Sequence, residues 1–206
     1  MEFSVNQLLS EVRKALLGKG FAYGLADDVA RAVEWLASHN IIPEDEIIKL
    51  LNAPEEGMPN KPVLHDNRMT QDQPAGIKDV IACFDLADAF GCDEVHFAAM
   101  IYPRLSAALA YLRGAPHCGR FASLDGQSLS DFITGHRLSQ ANKTDQVTLA
   151  FGRRAFSQDP APHWPARLQI SSGLCDLLSH YAYRTYVPSS DQSRAAGAGA
   201  GLNDND

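Results

Sequence analysis

The sequence predicts an α+β domain: an N-terminal helical segment followed by a mixed or mostly antiparallel sheet with helices packed on it. Two observations predict this class. Apolar residues recur at the helical period before Gly91, and period-two alternation sets in after it. The composition, 45% hydrophobic and 21% charged over 206 residues, is that of a globular chain and not a disordered one. A chain of this size buries roughly 70% of the surface its unfolded form exposes. One domain over 1–206 is therefore expected, with a helical subregion at 1–52, a proline-rich loop at 53–75 and a glycine-rich tail at 184–206.

The first helix is announced by Ser4 and Gln7, the two polar residues of a capping box. Val5, Leu8, Leu9, Val12, Ala15 and Leu16 then share one stripe, and Gly18 and Gly20 are expected to end it. A second helix follows Gly24, with Asp27 and Asp28 expected in its first turn and Leu25, Val29, Ala32, Val33 and Leu36 on its apolar stripe. Pro43 opens a short third helix with Glu44, Asp45 and Glu46 in its first turn.

Pro54, Pro59, Pro62 and Pro74 then punctuate a polar stretch that should hold neither a central strand nor a continuous helix. Such a long loop reads as a lid or a partner-facing segment, and His65-Asp66 within it is an acid–base pair should the loop close. Helical spacing resumes through Ile77, Val80, Ile81, Phe84 and Ala87.

Residues 95–102 alternate as a strand, and Pro103 starts a helix that carries Leu105, Ala108, Leu109 and Leu112. Residues 119–124 form a short strand before Asp125-Gly126, a hairpin-turn pair. Further strands are expected at 146–152 and 166–170. A last helix carries Leu174, Leu177, Leu178 and Tyr181, with Ser172 as its N-cap. Leu9, Val33, Phe97, Ile101, Leu109 and Leu178 are the expected core.

Charge narrows the partners. A net charge of -7 disfavours a nucleic-acid backbone and an anionic membrane surface, both of which need a basic face. No apolar run approaches the roughly 20 residues of a membrane span, and the acidic N-terminus lacks a signal-peptide pattern. The cytoplasm is the expected compartment. Cys83, Cys92, Cys118 and Cys175 show no C-x-x-C pair, and the seven histidines show no compact ligand spacing, so no metal is expected. Nothing in the sequence names a cofactor.

The tail is where chemistry concentrates. Arg184 and Arg194 supply donors for a carboxylate or phosphate, Tyr186, Ser190 and Ser193 supply hydroxyls, and Gly197, Gly199 and Gly201 let backbone amides approach an anion. Alternating Ala and Gly at a terminus is also the composition of a flexible segment. No Gly-Lys-Ser/Thr follows, so this is not a P-loop. The terminal Asn203-Asp204-Asn205-Asp206 offers hard oxygen ligands, though acidic termini are ordinarily solvated. His96, Tyr102 and Arg104, along a strand and at its end, form a candidate pocket wall.

The string Arg184-Thr185-Tyr186-Val187-Pro188, then Ser190, Ser193-Arg194, Gly197 to Gly201 and Asp204-Asn205-Asp206, resembles the C-terminal signature of an uncharacterised proteobacterial family. Gly20-Phe21-Ala22-Tyr23-Gly24-Leu25-Ala26 resembles that family's helix-turn-helix opening, with Tyr23 where tryptophan is expected. The family is of unknown function, so the resemblance implies no catalytic residues. It implies only that the glycine-rich terminus is a family feature.

Two expectations follow. One is a small-molecule enzyme or binding protein whose tail folds over an anionic ligand. The other is a non-catalytic subunit, or one copy of a homo-oligomer, whose tail docks into a partner protein.

Overall fold

The computed structural model describes residues 1–54, 60–72, 76–92, 94–114, 121–124, 127–128, 147–152 and 164–186. In chain order these form β1 (Glu2–Phe3), α1 (Val5–Lys19), α2 (Tyr23–Ser38), α3 (Glu44–Asn52), β2 (Val63–His65), β3 (Arg68–Gln71) and α4 (Ile77–Phe90). There follow β4 (Glu94–Phe97), α5 (Pro103–Gly114), β5 (Phe121–Leu124), β6 (Gln127–Ser128), β7 (Val147–Gly152), β8 (Leu168–Gln169) and α6 (Ser172–Ala182). A 3-10 turn, Tyr183–Thr185, continues from α6.

The class is α+β. A six-stranded sheet runs in the order β2-β3-β4-β7-β5-β6, and β1 pairs with β8 in a separate antiparallel ladder. Within the large sheet β3 and β4 run parallel, joined through α4, and the other neighbours run antiparallel. The expected strands near 95 and 147 are neighbours, with Val95 opposite Leu149. Helix α4 packs on β3 and β4, and α5 packs on β5, α4 and α2. Helix α1 lies against both α2 and α6, and α3 against α6. Among the described residues no helix is long and apolar enough to cross a membrane.

Local chemistry explains most boundaries. Ser4 Oγ accepts from Gln7 N–H at 3.2 Å, and Gln7 Oε1 accepts from Ser4 N–H at 2.8 Å, so both orphan donors are satisfied. Gly20 ends α1 at φ 102°, a conformation that costs other residues a Cβ clash. Gly18, expected to share that task, instead lies inside the helix. A Cβ there would stand 1.8 Å from the Tyr181 carbonyl oxygen, so glycine is what lets α1 and α6 touch. Tyr23 starts α2, one residue before Gly24, which leaves Asp27 and Asp28 beyond the first turn. Asp27 pairs with Arg13 at 2.5 Å and with Arg31 at 3.0 Å, tying α2 to α1. The N-cap of α6 is Ser171 and not Ser172, its side chain accepting from Leu174 N–H at 3.2 Å.

Residues 53–75 depart further from expectation. The stretch contains the hairpin β2–β3, and β3 is an interior strand. Proline is incompatible with a ladder only at the position it occupies, and residues 63–71 contain none. Asp66 at φ 50° turns the hairpin. Helix α4 anchors its approach: Asp79 accepts from Asn60 N–H at 2.7 Å while also capping its own helix at Gly76 N–H, 3.0 Å. His65 is exposed at the end of the edge strand β2, facing Arg68 in register.

One cluster joins the six described helices to the sheet. Val33, Phe97, Leu109 and Leu178 are buried, as their stripes predict. Leu9 and Ile101 are only partly buried at the margin of the cluster. For Ile101 the reason is that β4 stops at Phe97, so alternation no longer governs residues 98–101. Met100 and Tyr102 turn inward instead.

Candidate functional site

The close approach at Gly18 builds a cationic and aromatic surface where α1 and α6 end. Gly18 brings the backbone of α1 against that of Tyr181, and the side chains around this contact alternate charge with ring. Lys14, one turn earlier on α1, holds its Nζ 6.0 Å from the Tyr186 ring centre. Lys19 stands 5.5 Å from the Tyr181 ring, and the Arg184 guanidinium lies 4.8 Å from the same ring. Cations this close to an aromatic face are held by its quadrupole. Arg184 NH2 is also 3.1 Å from His180 Nε2. A hydrogen bond with Glu11, 2.9 Å away, followed by its charge and that of Tyr186, raises the Lys14 ammonium above its ordinary value.

Part of this charge serves the helix termini. Lys19 lies in the last turn of α1, and its Nζ donates to the Ala53 carbonyl just past α3, where a cation complements the helix dipole. The same lysine lines a cleft of about 120 Å³ with Gly20, Phe21, Leu50, Ala53, Pro54 and Lys78. Lys78 Nζ is 5.5 Å from the Phe21 ring. Cleft and surface are thus continuous through Lys19, and both present ammonium groups beside rings. Chemically the arrangement suits a small carboxylate or phosphate.

The residues singled out from the sequence divide into three groups. Arg184 and Tyr186 lie on this surface. Ser190, Ser193, Arg194, Gly197, Gly199 and Gly201 lie outside the described residues, as does Cys118.

His96, Tyr102 and Arg104 sit elsewhere. His96 is half-buried in β4 between Thr70 and Thr148. Tyr102 is buried, with Lys49 6.0 Å from its ring. Arg104 Nε donates to Glu46 at 2.9 Å, and its NH2 donates to Asp45. Burial lowers the Arg104 guanidinium, and its partners Glu46 and Asp45 carry it above its ordinary value.

Glu46 also accepts from the N–H groups of Arg104 and Leu105, at 3.0 and 2.9 Å, so an acid of α3 caps α5. Burial raises the Glu46 carboxyl, and these hydrogen bonds oppose the rise. Two positions away, Glu44 accepts from Ser171 N–H at 3.1 Å, at the start of α6. Arg104 therefore belongs near the amino end of α6 and Arg184 beyond its carboxyl end. An 11-residue helix separates them, a span of about 16 Å. Among the described residues, Arg104 and Arg184 therefore stand apart.

The surface also holds residues that the sequence reading did not single out: Lys14, Lys19, His180, Tyr181 and Tyr183. Their sequence signal is faint, because lysines spaced along a helix read as solvated charge. Only the tyrosine run at 181, 183 and 186 was available as a cue.

Cys83, Cys92 and Cys175 are buried. Burial, and then the charge of Asp79, push the Cys83 thiol up to about 12. Among the described residues no group of three or more His, Cys, Asp or Glu side chains could hold a metal ion.

Residues 3–75 match the model of a family described as a protein of unknown function, DUF3726. That fits an uncharacterised family. The matched segment runs through α1, α2, α3 and the hairpin, and it includes Lys14, Gly18 and Lys19 as well as the run from Gly20 to Ala26. The α6 half of the surface lies outside it. No curated protein and no solved structure matches the chain.

Proposed function

We propose that this chain binds a small anionic ligand, a carboxylate or phosphate, on the surface formed by the ends of α1 and α6, with the tail beyond Tyr186 as its cover. The observation that carries the reading is the convergence of Lys14, Lys19 and Arg184 on the rings of Tyr181 and Tyr186, on a chain of net charge -7. The tail leaves from this point. It contains Ser190, Ser193, Arg194 and the glycines at 197, 199 and 201, donors of the kind an anion recruits. The reading holds for a small-molecule enzyme and for a binding protein alike.

The test is calorimetric titration of the full chain, and of a chain ending at Tyr186, with inorganic phosphate and with citrate. The full chain should bind one of them and the shortened chain should bind it more weakly. Arg194→Ala should weaken binding by about 1.5–3 kcal/mol, the scale of a charge-assisted hydrogen bond. A shortened chain that binds as well as the full one eliminates the tail as a cover. Absence of binding by both chains eliminates the anion site.

A second reading is supported by Tyr183 and Tyr186, 77% and 58% exposed at the root of the tail. Exposed tyrosines are common anchors in protein interfaces, and a tail that orders on docking would make this chain a non-catalytic subunit. A shortened chain that loses a protein partner but keeps phosphate or citrate binding would favour it.

A further inference from the structure

Tyr183 and Tyr186 stand three residues apart on the turn that closes α6, and both rings face solvent. Their centres are 6.4 Å apart, with the planes tilted by 51°. A flat group held between two rings makes a contact of about 3.5 Å with each, so a clamp needs a ring separation of about 7 Å. The pair is short of that by less than an ångström. Both side chains are exposed, so rotating the rings towards parallel disturbs no packing.

The charges beside the rings are placed to receive the other half of a ligand. Lys14 is 6.0 Å from the Tyr186 ring centre, and Arg184 lies between the two tyrosines in sequence. Arg184 rests on the Tyr181 ring and on His180 Nε2, so no acid among these partners neutralises it. Glu11 shares Lys14, which leaves Arg184 as the stronger anion donor of the two.

We infer that the ligand of this site carries a flat aromatic group as well as its anionic one, the ring system clamped by Tyr183 and Tyr186 and the anion held by Arg184 and Lys14. This rests on the anion-binding reading and narrows its ligand to planar aromatic phosphates or carboxylates.

The full chain is titrated with inorganic phosphate, acetate, adenosine 5′-monophosphate and 1-naphthoate, the last two adding a ring system to the first two. One aromatic anion should bind at least tenfold more tightly than its simple counterpart. Tyr183→Ala and Tyr186→Ala should each weaken that binding by about 5- to 150-fold, the range for loss of a stacking ring. Tyr183→Ala should leave phosphate or acetate binding unchanged, and both variants should leave the urea midpoint unchanged, since neither ring is part of the core. Tyr183→Trp and Tyr186→Trp should retain the tight binding.

If the aromatic anions bind no more tightly than phosphate and acetate, the clamp is refuted while the anion site stands. Tight binding that survives both tyrosine variants also refutes it. Should none of the four probes bind, the anion site fails and the clamp fails with it.

Discussion

Gly18→Ala adds one methyl group where the structure leaves no room for it. The new Cβ would lie 1.8 Å from the Tyr181 carbonyl oxygen and 2.7 Å from its carbonyl carbon. An ordinary carbon contact is about 3.5 Å or more, so α1 and α6 must part by more than an ångström. Neither colliding group can rotate aside, because both belong to the backbone. Both helices contribute buried residues to the core, Leu8, Val12 and Ala15 from α1 and Leu174 and Leu178 from α6, and separation would loosen that packing.

Overpacking costs about 1–3 kcal/mol in cores that relax, and more where backbone must move. Replacing a helix-interior glycine by alanine returns about 1 kcal/mol of helix propensity, and less in the last turn, where Gly18 lies. Because both colliding groups are backbone, the cost lies at or above the upper end of the overpacking range, and the net expectation is a loss of about 2 kcal/mol or more. Gly24→Ala is the matched control: it also lies in a helix, a Cβ there meets nothing within 4 Å, and it should be neutral or stabilising by up to about 1 kcal/mol. Urea unfolding followed by circular dichroism measures both. A Gly18→Ala protein as stable as wild type would refute the close approach, and with it the geometry that sets Tyr181 and Arg184 against α1.

Glu46→Ala strands the Arg104 and Leu105 N–H groups and removes one partner of the Arg104 guanidinium; it should cost about 3–5 kcal/mol, read from the same unfolding curves. Burial raises the native Glu46 carboxyl above its unfolded value. The native state therefore keeps this proton at pH values where the unfolded chain has released it, and the contribution of Glu46 to stability falls as pH rises from the ordinary carboxylate range through the raised native value. The stability of wild type relative to Glu46→Gln should accordingly shrink as pH rises through that window, and a difference that grows would contradict the assignment. Leu109→Ala, at a buried site on α5, should cost about 2–5 kcal/mol; an unchanged urea midpoint would place Leu109 outside the core.

Much of the fold was legible because its determinants are local. The Ser4–Gln7 capping box, the glycine cap at Gly20 and the acidic first turn of α3 each act within one helical turn. Apolar periodicity likewise placed α4, α5 and α6, and alternation placed β4 and β7. The errors share a cause as well. The prolines at 54, 59, 62 and 74 marked residues 53–75 as loop, yet β3 gains its stability from pairing with β4, some 26 positions along the chain. Ile101 followed the strand pattern on paper, but the strand ends four residues earlier.

The candidate site divides along the same line. Arg184 and Tyr186 could be picked out because arginine and tyrosine carry chemistry wherever they lie. Lys14 and Lys19 could not, since what distinguishes them from solvated surface lysines is the ring each one faces across α1 and α6.

The sequence by itself determined the α+β class, the helix starts and stops and the apolar stripes, because capping, turn chemistry and periodicity depend on residues within a few positions of one another. Only the tertiary structure decided that Gly18 is a contact and not a terminator, that Glu46 caps a helix 58 positions away, and that Arg104 and Arg184 stand at opposite ends of α6. These outcomes depend on which distant backbone comes within hydrogen-bonding or van der Waals range, and no spacing along the chain encodes that distance.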